Sequence, residues 1–473
     1  MKDKKELNLT FYSGVGTVTG ANFMLESKNT RLLVDCGLVQ GDPNAYELNR
    51  KPFQYDAKTV DYLFITHAHL DHIGRVCKLV REGFRGVIFS TPETKEIAEA
   101  MFFDALKVMT MKEKEIQDGI HQAPLYDAQD VEKALSLWRT IPYHKETKIN
   151  DELSVTLKDA GHILGSSMYE FTVSPKSDLG VDIGEKKVKV VFTGDTGNSP
   201  APLLRDTDKI TQADYLIVDS VYGDRNHEPK EERDERFKQI VLETIKKGGA
   251  LVLPAFSIER TQVILYELNN MIEDKIIPTV PVYLDSPLGR KVTDIYSRSN
   301  KYFNSGVQKE IKAGDDIFNF PKLSITHGSY DSKKIEEMPN PKIIVSGSGM
   351  SSGGRVIWHE MAYLPDPKST VLLMGYQAVG TLGRKIQDRP ASVMINGQMV
   401  PIRARIEMIS GYSSHKDSDN LVKLVEGTAN TVKKVFVVMG EPKSSTFLAQ
   451  RLRDELDVEA ICPEKGKIYK LDV

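Results

Sequence analysis

Between positions 66 and 72 the chain reads Thr66-His67-Ala68-His69-Leu70-Asp71-His72, three imidazoles and a carboxylate within six residues. Imidazole with carboxylate is a donor set for zinc or a similar first-row divalent ion. Three of the chain's ten histidines fall in this stretch, and clusters of such density rarely arise without a metal to bind. Two single residues extend the set. His162 stands in Ala160-Gly161-His162-Ile163-Leu164-Gly165, where flanking glycines let the backbone turn close to a ligand. Asp195 stands in Thr193-Gly194-Asp195-Thr196-Gly197 behind the apolar run Val190-Val191-Phe192, and its two oxygens make it the expected bridge between two ions. Alone, either residue reads as structural; beside the first cluster both read as ligands.

These side chains need elements to aim them. The run Val60–Ile65 predicts a strand entering the cluster, and side chains two apart on an extended chain share a face, which pairs His67 with His69. Asp71 and His72 open the helical pattern Ile73–Val80. Further strands are expected at Leu7–Tyr12, Ala21–Glu26, Arg31–Val34, Gly86–Ser90 and Val188–Phe192, with helices at Pro92–Lys107 and Ala128–Trp138. Strands so early and so close together predict a β-sandwich with outer helices. Gly14-Val15-Gly16-Thr17-Val18-Thr19-Gly20 imitates a dinucleotide fingerprint, but its third glycine comes one position late and no helix follows, so it reads as a hairpin turn.

From about Asp219 the texture changes. Helix Lys230–Lys247, strand Ala250–Pro254, a helix from Glu259 to Glu273 and strand Val280–Leu284 alternate as in a parallel α/β domain, continued by strands at Lys342–Val345 and Thr370–Leu373. Strand Ile402–Ile409, helix Ser418–Gly427, strand Lys433–Met439 and helix Ser444–Leu456 close the chain. An α/β insertion in a strand-rich metal domain accounts for this order. At 473 residues the chain exceeds one ordinary core. Hydrophobic and charged fractions of 40% and 27% describe a soluble globular protein, and a net charge of −3 gives no bulk basicity for nucleic acid, although metal ions or a local basic groove could hold phosphates. Cys36, Cys77 and Cys462 are too few and too scattered for a disulfide framework or zinc ribbon. With no signal-peptide core and no apolar run of spanning length, a cytoplasmic protein without membrane attachment is expected.

His67-x-His69-x-Asp71-His72, His162 and Asp195 resemble the motifs of the metallo-β-lactamase superfamily, and Asp35 in Leu33-Val34-Asp35-Cys36-Gly37 is similar to its strand-end aspartate, which orients ligands from behind. Asp219-Ser220-Val221-Tyr222-Gly223-Asp224-Arg225 resembles motif A of the β-CASP nucleases, and Ser413-Ser414-His415-Lys416-Asp417 their motif B. Pro254–Ser257, Asp285-Ser286-Pro287, Gly349–Arg355 and Gly375–Thr381 are also similar to that family, over nearly the whole chain. The match is nearest to compact prokaryotic relatives of the pre-mRNA 3′-end endonuclease. It implies an αββα metallo-β-lactamase sandwich over residues 1–205 and 401–473 with a parallel α/β β-CASP domain inserted at 206–400. One departure stands out. The family's motif C often carries a histidine before Gly-Glu that ligates the second metal, whereas this chain has Met439 before Gly440-Glu441. A thioether is a poor substitute for imidazole on zinc, so Met439 reads as packing and the second ion as held by Asp71, His72, Asp195 and water.

The resemblance implies hydrolysis of single-stranded RNA for processing or decay. Two zinc ions would lower the pKa of a bound water and polarise the phosphoryl oxygens. Asp71 and Asp219 would act with His415, which protonates the leaving oxygen while Asp219 holds its imidazole charged and oriented. The glycine-rich turn Ser346–Arg355 and the loop Gly380–Arg384 would offer Ser348, Ser351, Arg355, Thr381 and Arg384 to phosphates beside the cleft. His227 is placed near that cleft. His121, His144, His327 and His359 read as surface or satisfied polar residues, and Trp138 and Trp358 as packing. A DNA-directed nuclease of the superfamily and a silent RNA-processing scaffold remain as alternatives. A thioesterase or lactonase would share only the first cluster. The closing helix and final strand are apolar enough to dock on the protein or to pair two copies as a homodimer.

Overall fold

The computed structural model describes residues 7–115, 123–174 and 187–473. The chain divides into two compact units, one formed by Met1–Ser199, Asp206–Asn226 and His415–Val473, the other by Pro200–Arg205 and His227–Ser414.

The first unit holds two seven-stranded sheets. One runs, in spatial order, Ile468–Leu471, Leu7–Ser13, Asn22–Glu26, Arg31–Val34, Tyr62–Phe64, Val87–Ser90 and Trp138–Thr140; the other runs Ala460–Ile461, Lys434–Val438, Tyr215–Asp219, Val188–Phe192, Ser167–Val173, Leu153–Asp159 and Thr147–Lys148. Period-two alternation sets the core between them. Leu7, Leu9 and Phe11 from the first sheet meet Val188, Val190 and Phe192 from the second, and Phe64 meets Phe171 edge-on at 4.8 Å. The other face of the second sheet, through Val191, Leu216, Val218 and Val435, packs on Leu421 and Val425 of helix Ser418–Glu426 and on Leu448 and Leu452 of helix Pro442–Leu456. Helices Val76–Arg81, Pro92–Glu115 and Ala128–Ser136 also belong to this unit, so the sandwich has its outer helices. The expected helix to Trp138 ends at Ser136; Trp138 instead opens an edge strand, its indole N–H donating to Ser90 Oγ at 2.8 Å. Gly14, Gly16 and Gly20 take positive φ in the turn that pairs the first two strands antiparallel, which is the hairpin the glycine spacing predicted.

The second unit is built on six parallel strands in the order Leu323–Ile325, Val282–Asp285, Lys342–Ser346, Ala250–Pro254, Thr370–Met374 and Arg405–Ile409. Every residue of Ala250–Pro254, Lys342–Ser346 and Thr370–Met374 is buried, as strands covered on both faces must be. The register sets Pro254 and Asp285 each level with Ser346, so the loops that follow leave from one edge. The strand expected at Ile402–Ile409 with the closing segment lies here instead: Arg405–Ile409 pairs parallel with Thr370–Met374 over five residues, and Ile406 joins the core of Val371 and Leu373. A hairpin of Ser392–Ile395 and Gln398–Pro401 turns on Asn396-Gly397, both at positive φ, the backbone an Asn-Gly turn supplies. Among the described residues, no helix is long and apolar enough to cross a membrane.

Candidate metal centre

The strand Tyr62–Phe64 lies between two parallel neighbours and releases the chain at Ile65 into the loop that carries His67 and His69. His69 is the residue before the short helix Leu70–Ile73, so Asp71 and His72 come from its first turns. His162 sits between Gly161 and Gly165, both at positive φ, and Ser166 Oγ accepts from the His162 and Ile163 amides at 3.1 and 3.3 Å. Gly194, also at positive φ, turns the chain into Asp195; a Cβ there would stand 2.6 Å from Thr66 Cβ, so only glycine fits.

These local choices bring the ring nitrogens together. His69 Nδ1 lies 3.1 Å from His67 Nε2 and 3.2 Å from His162 Nε2. Asp195 Oδ2 stands 3.6 and 3.7 Å from the latter two nitrogens and 3.3 Å from His72 Nε2, which is itself 3.7 Å from Asp71 Oδ2. Two ligand groups result, His67, His69, His162 and Asp195 in one and Asp71, His72 and Asp195 in the other, with Asp195 in both. A third group joins Asp195 to Asp219 and His415, all ligand atoms of each group lying within 4.8 Å of one another. Every expected ligand from the sequence is therefore in one place.

The electrostatics of the cluster call for a cation. Burial, then the neighbouring His72, holds His67 well below the usual histidine range, which leaves a neutral imidazole able to ligate. Burial pulls on His72 in the same sense but is outweighed by Asp195, Asp35 and Asp71, so its pKa stands well above the ordinary value. Asp195 goes down despite its burial, because His72, His67 and His415 surround it. Burial pushes Asp71 up to about 6, and burial with the Asp195 charge pushes Asp219 up to about 8. His72 Nε2 and Asp195 Oδ1 are buried without a hydrogen-bond partner. Crowded carboxylates, the neutral His67 imidazole and unsatisfied ligand atoms fit one or two divalent ions.

Behind the cluster, Asp35 at φ 62° accepts His72 Nδ1–H at 2.7 Å and the Thr66 amide and hydroxyl at 2.8 Å each. Asp219 ends the strand Tyr215–Asp219, and Thr196 Oγ1 donates to its Oδ1 at 2.8 Å. His415 forms a bridge with Gly197 and sits partly exposed with Nδ1 3.9 Å from Asp195 Oδ2. Asp417 caps the following helix. Met439, at φ 49°, is buried in the sandwich core, its amide donating to Gly14 O at 2.8 Å, and it lines a cavity of about 10 Å³ with Asp35 and His72. The tie from Thr196 to Asp219 and the hydroxyl of Thr66 were missed by sequence reasoning. The Thr66-His67 adjacency was the only signal for the second.

Within the second unit, the expected phosphate-binding residues have internal duties. Arg355 Nη1 donates to Asp285 Oδ1 at 2.6 Å and to Thr326 Oγ1 at 2.9 Å. Ser351 is buried with its hydroxyl on Glu360. Ser348 Oγ accepts from the Ser352 amide at 3.0 Å, and Thr381 caps the helix that carries Arg384. His359 is buried against Asp285 at 2.7 Å, His144 meets Asp208 at the surface, and His327 meets Arg290. His227 begins the long segment of this unit, and His121 lies outside the described residues.

Three family models match the chain: a metallo-beta-lactamase superfamily domain over residues 24–179, a Beta-Casp domain over 261–386, and a Zn-dependent metallo-hydrolase RNA specificity domain over 399–463. Ribonuclease TTHA0252 of Thermus thermophilus is 35% identical over 92% of this chain and 93% of its own length. The chain belongs to the β-CASP family of the metallo-β-lactamase superfamily. Other β-CASP-like relatives include the transcription termination factor FttA of Methanosarcina mazei, 29% identical over 96% of this chain and 70% of the relative. A crystal structure of a protein of unknown function from Enterococcus faecalis shares the fold, with TM-score 0.54 at 14% identity, covering 98% of this chain and all of the other.

Proposed function

We propose that this β-CASP protein is a metal-dependent ribonuclease that hydrolyses phosphodiester bonds of single-stranded RNA. One observation carries the reading: Asp219 and His415 are packed into the same 4.8 Å cluster as Asp195, so proton-transfer groups adjoin the ligand groups. A centre that only held a metal would need neither. The β-CASP and RNA-specificity family models and the ribonuclease relative support RNA as the polymer.

His67, His69, His162 and Asp195 would hold a first ion and Asp71, His72 and Asp195 a second, zinc being the expected metal for this nitrogen and oxygen set. Bound there, the ions supply Lewis acidity, lowering the pKa of water and drawing charge from the phosphoryl oxygens. Asp195 orients both subsites from one carboxylate. His415 gives its proton to the leaving 3′ oxygen. Asp219, fixed through Oδ1 by Thr196, keeps a buried Oδ2 with no hydrogen-bond partner for His415 to use. Because Met439 brings no imidazole, the second subsite rests on three side chains and binds its ion more weakly than the first. Ser348, Ser351, Arg355, Thr381 and Arg384 remain the proposed phosphate contacts. The protein works in the cytoplasm.

The test is a gel assay with 5′-labelled single-stranded RNA and matched DNA, zinc-loaded protein and His415→Ala alongside. Cleavage of RNA alone, lost in the variant, supports the ribonuclease, and the ladder separates internal cuts from terminal trimming. Preference for DNA would replace RNA as the substrate class, and cleavage of neither would refute the activity.

A further inference from the structure

We infer that Thr66 is a positioning residue for the metal centre, its hydroxyl extending the reach of Asp35 from one metal-binding imidazole to two. The inference rests on the proposed metal role of His67 and His72 and assigns the side chain that sets which nitrogen of His67 faces the ion.

Asp35 is buried and its carboxylate meets donors only: the Thr66 amide on Oδ1 at 2.8 Å, and the Thr66 hydroxyl and His72 Nδ1–H on Oδ2 at 2.8 and 2.7 Å. Thr66 Oγ1 has a single proton, and it goes to Asp35. His67 Nδ1 lies 3.0 Å from the same Oγ1, so in that contact the imidazole must be the donor. His67 therefore carries its proton on Nδ1 and presents the lone pair of Nε2. His72 donates its own Nδ1–H directly to Asp35, which leaves Nε2 as the nitrogen that would face the ion. Its 3.4 Å approach to Thr66 Oγ1 is the longer contact and gets no proton of its own. One carboxylate thus fixes two tautomers, directly for His72 and through a hydroxyl for His67.

Thr66 also packs. It fills the space beside Gly194, where an added Cβ would meet Thr66 Cβ at 2.6 Å and both Cγ2 and Oγ1 at 2.9 Å, while the Thr66 carbonyl accepts the Ser167 amide at 2.8 Å. Hydroxyl and packing can therefore be separated by substitution. Thr66→Val keeps the shape and deletes the relay; Thr66→Ser keeps the relay and trims the packing.

The experiment is zinc competition against a chromophoric chelator on the full chain, wild type and both variants, with long-range 15N spectra of histidine-labelled protein assigned by His67→Gln. Thr66→Val should weaken zinc binding about 10–100-fold, the usual worth of a group that holds a ligand from behind, while Thr66→Ser stays within about threefold of wild type. His67 in the wild type should carry its proton on Nδ1. Equal affinity in Thr66→Val, an equal loss in both variants, or a proton on Nε2 of His67 would each overturn the assignment. Should Thr66→Val fail to fold, the serine variant and the wild-type spectrum still decide. A wild-type chain that binds no zinc would instead overturn the metal centre itself.

Discussion

Replacing Asp285 by alanine should unfold the second unit selectively. The side chain is fully buried at the end of strand Val282–Asp285 and accepts four side-chain hydrogen bonds, from Arg355 and Thr326 on Oδ1 and from Ser332 and His359 on Oδ2, all at 2.6–2.7 Å. Burial alone would raise its pKa, but the bonds from His359, Ser332, Thr326 and Arg355 outweigh it and hold the carboxyl well below the usual carboxylate range. Two hydroxyls can turn to other acceptors at little cost. The Arg355 guanidinium, tied down in a largely buried setting, cannot, and stranding one partner of a buried pair costs about 3–5 kcal/mol. Asp285→Ala should therefore destabilise this unit by about 4 kcal/mol, with Asp285→Asn between it and wild type because one acceptor oxygen survives. The sign with pH follows from the depressed pKa. Asp285 contributes fully above its unfolded pKa of about 3.9, and the contribution fades as pH falls toward the folded value, so the variant's deficit should shrink in acid. Urea-dependent hydrogen exchange read by mass spectrometry resolves the units: peptides over Ala250–Pro254 and Lys342–Ser346 report the second, Val188–Phe192 the first. A deficit below about 1 kcal/mol, or one shared equally by all three peptides, would refute the account of this network.

His415→Ala should slow RNA cleavage about 10²–10⁴-fold, the range of a general acid, with zinc content unchanged by elemental analysis; loss of zinc would make His415 a ligand instead. Glu360, pushed up to about 8 by burial against the smaller pull of its Ser351 hydrogen bond, is a carboxyl raised in the folded state. Its stabilisation is complete below the ordinary value of 4.5 and declines as pH rises toward 8, so Glu360→Gln should flatten the stability profile of the second unit between those limits in the same exchange assay. Met439→His should strengthen the weaker of two zinc-binding steps in calorimetry by at least about tenfold, since imidazole replaces a thioether beside His72; an unchanged second step would show that position 439 does not face the ion.

Much of this was legible because the signals were local. A strand running into histidines at 67 and 69 left few ways to arrange them, and the parallel character of the second unit followed from the alternation of strands such as Ala250–Pro254 with helices. What sequence could not show depended on partners far along the chain. Arg405–Ile409 looks like any half-buried strand until Thr370–Met374 claims it. Leu153–Asp159 and Ser167–Val173 escaped detection although they form an antiparallel pair, because glycine and histidine between them read as a site and not as a connection. The tie of Arg355 to Asp285 could not be read either, because that buried acceptor, seventy positions earlier, has no trace in the local motif.

The most direct test of the account is single-turnover cleavage of 5′-labelled single-stranded RNA by metal-free protein titrated with zinc. Activity should be absent under chelation, rise with added zinc in two steps as the stronger and weaker subsites fill, and vanish at all zinc levels in Asp195→Asn, which strips the shared carboxylate from both. Undiminished cleavage in chelator, or in Asp195→Asn, would contradict a reaction centred on these residues.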